Sequence, residues 1–252
     1  FSIIRTGLDA ANKDLAVISN NIANAGTNGF KKSEAQFEDL YHSQHNNSTE
    51  KATGMGVKTI KPRHKKRMNQ KVTLFPNNPK LTIKPPPPNE SNKTRSEIFY
   101  LLSYNDGVID NEMVQAYDDI VKAFMPVIQK NGLQVTEEKL TDIYTQASKF
   151  ITKLKYKFNR PRPYQIAKHY GIKDFEIHKL DSAQSPSYPS GHAVQGRVIA
   201  RYLAGLDPKN KNDYMLVGHN ISESRIMARA HYETDREYGD LLGDELYEVM
   251  KK

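Results

Sequence analysis

Ile4, Leu8, Ala11, Leu15, Ile18 and Ile22 step by 4, 3, 4, 3 and 4 residues. Alternating threes and fours keep one face of a helix apolar, as the seam of a heptad repeat does. The helix should stop near Gly26, with Asn28-Gly29 as a turn. About three heptads make a short helix that needs partners to be stable. From Ser96 onward the pattern is again helical. Leu140, Ile143, Ala147, Phe150, Ile151 and Leu154 fall on one face at 3.6-residue spacing. Residues 111–130 form a second amphipathic candidate, kinked or broken at Pro126. Val194, Val198, Ile199, Tyr202 and Leu203 mark a third, with Ser190 as its N-cap. Residues 222–230 and 236–251 suggest two more. No run alternates with a period of two, so the fold class is all-α: a helical bundle, preceded by the heptad-patterned helix.

Charge divides these two helical regions. The chain has 252 residues and a net charge of +8. Residues 1–56 hold 5 basic and 6 acidic side chains, residues 57–95 hold 11 and 1, and residues 96–252 hold 21 and 22. The excess therefore lies in one stretch. It contains the run Lys61-Pro-Arg-His-Lys-Lys-Arg67 and four consecutive prolines, 85–88, which favour polyproline II and exclude a helix. The organisation expected is an N-terminal segment (1–60), a basic, proline-rich extended linker (61–95) and a helical domain (96–252). The linker reads as a solvated spacer or as a contact for an anionic surface. Phe75 alone offers a ring for base stacking, which argues against nucleic acid.

The chain has no cysteine, which excludes a disulfide scaffold, a thiolate metal site and a cysteine nucleophile. No apolar run approaches the ~18 residues of a membrane-spanning helix, and no charged-then-apolar leader is visible.

Three clusters carry chemistry. The first is Lys155-Tyr-Lys-Phe-Asn-Arg-Pro-Arg162-Pro163, the second Pro189-Ser190-Gly191-His192, and the third Ser224-Arg225, His231 and Asp235. Lys155, Arg162 and Arg225 supply three cations, and arginine forks match phosphoryl oxygens. Ser190 and the Gly191 amide stand where a helix begins, a position that favours an anion. His231 and Asp235 are four apart and share a face if that stretch is helical. A carboxylate on one ring nitrogen leaves the other as a nucleophile, and His192 can serve as general acid. Taken singly, each cluster has an ordinary structural explanation; the three in order, all suited to an anion, are harder to dismiss. Lys153 with Arg160-Pro161 has the same spacing as Lys155 with Arg162-Pro163, and the second pairing is preferred.

These residues resemble the type 2 phosphatidic acid phosphatase and vanadium haloperoxidase superfamily, whose signature K-x6-R-P, P-S-G-H, S-R-x5-H-x3-D is matched at every fixed position over residues 96–252. The resemblance implies a helical bundle and a soluble, acid-phosphatase-like enzyme that hydrolyses phosphomonoesters, lipid phosphates or pyrophosphates without a metal. His231 would form a phosphohistidine, Asp235 would orient it, and His192 would protonate the leaving group. Lys155, Arg162, Ser190, Gly191 and Arg225 would bind phosphate. No cofactor is implied, except vanadate in the alternative of a haloperoxidase. A periplasmic or cell-envelope location is favoured.

Leu15 to Lys31, with Ser19-Asn-Asn-Ile-Ala-Asn24 at its centre, resembles the N-terminal segment of flagellar rod and hook proteins. Phe37-Glu-Asp-Leu-Tyr41 and Gly54-Met-Gly-Val57 continue the likeness. It implies flagellar axial subunits as partners and a structural role as a further alternative. The last 20 residues do not look like the C-terminal helix of a rod protein. His42, His45 and His64 read as surface residues, His169, His178 and His219 as structural, and Tyr156 and Tyr188 as core.

Overall fold

A computed structural model describes residues 37–41, 54–59 and 62–251. The heptad-patterned stretch, His42 and His45 lie outside them. The chain divides into two compact units, residues 1–69 and 70–252.

In the first unit, β1 (Phe37–Tyr41) pairs antiparallel with β2 (Gly54–Thr59), Phe37 facing Thr59 and Tyr41 facing Gly54. No alternation of apolar and polar residues foretells this sheet. Helix α1 (Pro62–Asn69) takes in most of the basic run. Proline is tolerated there because it opens the helix, where its missing N–H has no partner to lose. Winding the run into a helix turns one side chain inward, and His64 is buried at 4% exposure rather than lying on the surface.

The second unit is helical throughout its described elements. They are α2 (Asn92–Ser103), α3 (Asn111–Ala116), α4 (Ile120–Lys130), α5 (Glu137–Phe158), the short α6 (Pro163–Ile166), α7 (Gly191–Leu206), α8 (Lys211–Met227) and α9 (Glu233–Met250), with a few 3-10 turns. Helix α7 is the hub, packed against α5, α8 and α9. Its approach to α9 depends on glycine. A Cβ at Gly239 would stand 2.7 Å from Ala193 Cβ and 2.9 Å from Ser190 O, closer than atoms pack. The predicted face of α5 is buried throughout, Leu140 to Leu154.

Three expectations change. The stretch 61–95 is not an extended spacer over its whole length. Beyond α1, residues 70–91 form a strap without helix or strand that belongs to the second unit. Val72 and Phe75 are buried in its core, Phe75 meeting Phe150 edge-to-face at 5.7 Å. Tyr188 and Tyr238 donate hydrogen bonds to Lys84 O and Thr82 O. Apolar residues interspersed in a basic stretch still seek the core, and a charge count cannot see that. Next, 111–130 is two helices. The break falls at 117–119, where the Asp119 side chain caps α4 by accepting from Lys122 N at 3.1 Å, while α4 runs on through Pro126. Finally, residues 222–227 are the last turns of the longer α8.

Candidate functional site

The site lies at the N-terminal ends of α7 and α9 and the C-terminal ends of α5 and α8. Lys155 is in the last turn of α5. Asn159 then ends that helix in the left-handed region (φ 48°, ψ 37°), which asparagine tolerates better than most residues. The chain reverses there and presents Arg160 and Arg162 inward, both buried.

Those two arginines go to different places. Arg162 Nη1 is 3.0 Å from His231 Nε2 and donates to Ala230 O at 2.8 Å, while its Nε donates to Ser185 O. Lys155 Nζ donates to Pro186 O and Ser187 O at 2.7 and 3.1 Å. Arg160 instead bonds Asp235 Oδ1 at 2.7 Å and Glu97 Oε2 at 3.0 Å, with its guanidinium 3.7 Å above the Tyr232 ring. Lys153 is exposed. Lys155 and Arg162, not Lys153 and Arg160, stand beside His231.

His231 precedes α9 and is not on it. Asp235 is the third residue of that helix and folds back over its start, its Oδ2 accepting from Tyr232 N at 3.1 Å and lying 3.2 Å from His231 Nδ1. His231 and Asp235 do meet, but not by sharing a helix face: the pairing is made at a helix N-terminus, where a carboxylate satisfies an orphan N–H. An arginine N–H only donates, so Nε2 of His231 is the acceptor. The ring proton is then on Nδ1, pointing at Asp235. Burial, reinforced by Arg162, holds the His231 pKa well below the ordinary histidine value. Burial alone would raise the Asp235 carboxyl, but the His231 hydrogen bond and the Arg160 charge hold it below the usual carboxylate range. Burial and the neighbouring Arg162 pull the Lys155 ammonium well down. Arg162 is pushed down to about 10, chiefly by burial.

Ser190 caps α7, its Oγ accepting from Ala193 N at 3.4 Å, and its own N–H donates to Asp235 O at 2.9 Å. The two helix starts are thereby tied together. A Cβ on Gly191 would meet Lys155 Cε at 3.8 Å, an ordinary contact, so packing alone does not demand glycine there.

His192 and Arg225 form the other half. Arg225 Nη1 donates to Asp118 Oδ1 at 2.7 Å and lies 3.4 Å from His192 Nε2. His192 Nε2 is 3.0 Å from Asp118 O and 3.4 Å from its Oδ1. Burial lowers the His192 pKa, opposed by the Asp118 hydrogen bond. Burial also lowers that of Arg225. The Asp118 carboxyl is held below its usual range by His192 first and then by Arg225.

Four residues were not foreseen. Asp118 sits in the break between α3 and α4, inside the stretch 111–130 whose pattern predicts a helix. Glu97 bonds both Arg160 and Thr234 N, and Thr94 Oγ1 accepts from Arg160 at 3.2 Å. Ser187 is fully buried and donates to Asp235 Oδ2. Position within Ser187-Tyr-Pro-Ser-Gly-His192 was the one available signal for it. His169 and His219 are exposed, and His178 meets Asn111 on the surface. Tyr188 is core, stacked on Tyr238 at 5.0 Å. Tyr156 is buried too.

The comparisons with known proteins give two separate likenesses. The non-specific acid phosphatase of Providencia stuartii is 27% identical over 112 residues, 44% of either chain. The non-specific acid phosphatase of Salmonella typhimurium is 25% identical over 131 residues. The flagellar basal-body rod protein FlgG of Buchnera aphidicola subsp. Baizongia pistaciae is 61% identical over 41 residues, 16% of either chain. The chain spans about half the length of the curated acid phosphatases it matches, and less of the rod protein. The crystal structure of a bacterial vanadium-dependent iodoperoxidase superposes with a TM-score of 0.52 at 14% identity, over 69% of this chain and 52% of that one. At that identity the likeness is one of fold. Among the described residues no helix is long and apolar enough to cross a membrane. Residues 143–243 match the PAP2 superfamily and residues 3–31 the flagella basal body rod protein family, so the helical unit carries the PAP2 pattern and the N-terminal segment the rod pattern.

Proposed function

We propose that the second unit is a phosphatase that hydrolyses phosphomonoesters through a phosphohistidine. The observation carrying this reading is the state of His231: its Nδ1–H faces Asp235 Oδ2 at 3.2 Å and its Nε2 lone pair faces Arg162 at 3.0 Å. A phosphoryl group held by Lys155, Arg162, Arg225 and the Ser190–Gly191 helix start would bring phosphorus to that lone pair. Nε2 forms the P–N bond as the ester P–O bond breaks, and the electron pair leaves on the departing oxygen. His192 gives that oxygen a proton. Water then attacks phosphorus and gives a proton to His192, and the P–N pair returns to His231. Asp235 holds the Nδ1 proton and stabilises the charge on the ring. The cations stabilise charge that spreads over the phosphoryl oxygens in the transition state.

In this reading no metal is required, because the fixed cations neutralise the phosphoryl charge. Phosphate release from an aryl phosphate in excess chelator tests that, and a requirement for added divalent ion would refute it. The central test is His231→Ala, which should abolish release and the acid-labile phosphoenzyme trapped in a quench. Equal activity in both proteins would end the proposal.

Vanadate has the geometry of phosphate, and the same cations with His231 Nε2 fit it. The fold shared with the iodoperoxidase motivates one assay, halide oxidation with vanadate and peroxide; this second reading falls if that assay gives no signal. Residues 1–60 would contact flagellar axial subunits. Deleting them should leave phosphate release unchanged, and their own role is then read in rod assembly.

A further inference from the structure

A cavity of about 460 Å³ opens beside the site, between the start of α4 and α5. Asp118 belongs to both. It lines the cavity, and its carbonyl and carboxylate both approach His192 Nε2. His192 is the group assigned to protonate the leaving oxygen, so a leaving group on that oxygen can extend past Asp118 toward this cavity. Ile120, Val121 and Tyr144 supply apolar and aromatic wall. The charges are Asp118, Asp119 and Glu137 against Lys122, and Lys122 is paired with Asp119 at 3.2 Å. Asp118 is in turn paired with Arg225 at 2.7 Å, so Glu137 is the lining carboxylate without an ion pair among the described residues, and the wall carries one net negative charge beside the cationic phosphoryl site.

We infer that this cavity is the leaving-group subsite, and that it selects monoesters of uncharged or cationic, ring-sized alcohols over substrates whose leaving group is itself a phosphate. The inference rests on the phosphatase reading above and narrows its substrate class. The Glu137 carboxylate repels an anionic leaving group. The apolar wall and the Tyr144 ring reward a flat, uncharged face. The volume falls within the roughly 300–1,000 Å³ typical of small-molecule sites.

The test uses the full chain and compares kcat/KM for phenyl phosphate, methyl phosphate and pyrophosphate. Phenyl phosphate should exceed pyrophosphate by about 10-fold or more, and Tyr144→Ala should lower the phenyl-to-methyl ratio by about 10-fold, the scale of one lost apolar contact surface. Thr141→Trp, at an exposed cavity position, should lower the same ratio by filling the space, which guards against misfolding of the first variant. Glu137→Gln should raise the pyrophosphate-to-phenyl ratio. The exposed Lys153→Ala serves as the unchanged control. Pyrophosphate matching phenyl phosphate, or a ratio unmoved by Tyr144→Ala and Thr141→Trp, overturns the inference. If no ester is hydrolysed, the phosphatase reading falls, and the cavity is judged by binding of phenol against 4-hydroxybenzenesulfonate followed by NMR. Preference for phenol that Thr141→Trp removes upholds the subsite, and equal or no binding refutes it.

Discussion

Arg160 Nη1 bonds Asp235 Oδ1 at 2.7 Å, while the other oxygen of the same carboxylate faces His231. Asp235 is therefore gripped from two sides, and Glu97 holds the far end of the arginine. All three members of this ion cluster are about 1% exposed or less. Arg160→Met would leave two buried carboxylates without their cation, and breaking a buried pair in this way costs about 3–5 kcal/mol. Urea unfolding of the variant should show that loss, whereas Lys153→Ala should stay within about 0.5 kcal/mol of wild type. Comparable midpoints for the two variants would show that the cluster does not hold the fold.

The two histidines set a pH window. His231 must be neutral to attack and His192 protonated to donate. Both pKa values are lowered from the ordinary histidine value, that of His231 the further. Activity should fall at the acid end as His231 gains a proton and at the alkaline end as His192 loses one. A bell in kcat/KM with both limbs below the ordinary histidine pKa is the expected profile. The Asp118 hydrogen bond raises the His192 pKa, so Asp118→Asn should move the alkaline limb to lower pH and leave the acid limb in place. An alkaline limb unmoved in that variant would separate Asp118 from the proton donor.

Gly239 lets α9 approach the start of α7, where Ser190 and His192 are held. Gly239→Ala forces a Cβ against Ala193 and Ser190 O, and overpacking of this kind costs about 1–3 kcal/mol. The shift would also move the Ser190–Gly191 helix start, so KM for an aryl phosphate should rise along with the drop in melting temperature. Lower stability with unaltered KM would place the strain elsewhere.

Phe75 lies in the strap and meets Phe150 in the core. Phe75→Ala should destabilise the helical unit by about 3–5 kcal/mol, as emptying a buried ring position does. A stability loss below about 1 kcal/mol in thermal unfolding would mark the strap as loosely attached.

The motif residues were legible because their chemistry is local in sequence: the P-S-G-H stretch caps α7, and Lys155 and Arg162 flank one helix end. The choice between Lys153/Arg160 and Lys155/Arg162 could not be made from spacing, since both fit. What separates them is Glu97, 63 residues upstream of Arg160, a partner that no local pattern discloses. Asp118 was hidden for a related reason. An amphipathic period over 111–130 reads as one helix unless the Asp119 cap is given weight over Pro126. The strap escapes a composition count because proline dominates it while two apolar side chains, Val72 and Phe75, decide where it goes.

The strap also bears on how two unlike segments can share one polypeptide. A crossover anywhere within 70–91 would separate Val72 and Phe75, or the carbonyls of Thr82 and Lys84, from the helices that depend on them. A crossover before Gln70 disturbs none of these. Recombination between genes is therefore costly within the strap and less so at the boundary between the two units, although the basic stretch runs unbroken across both.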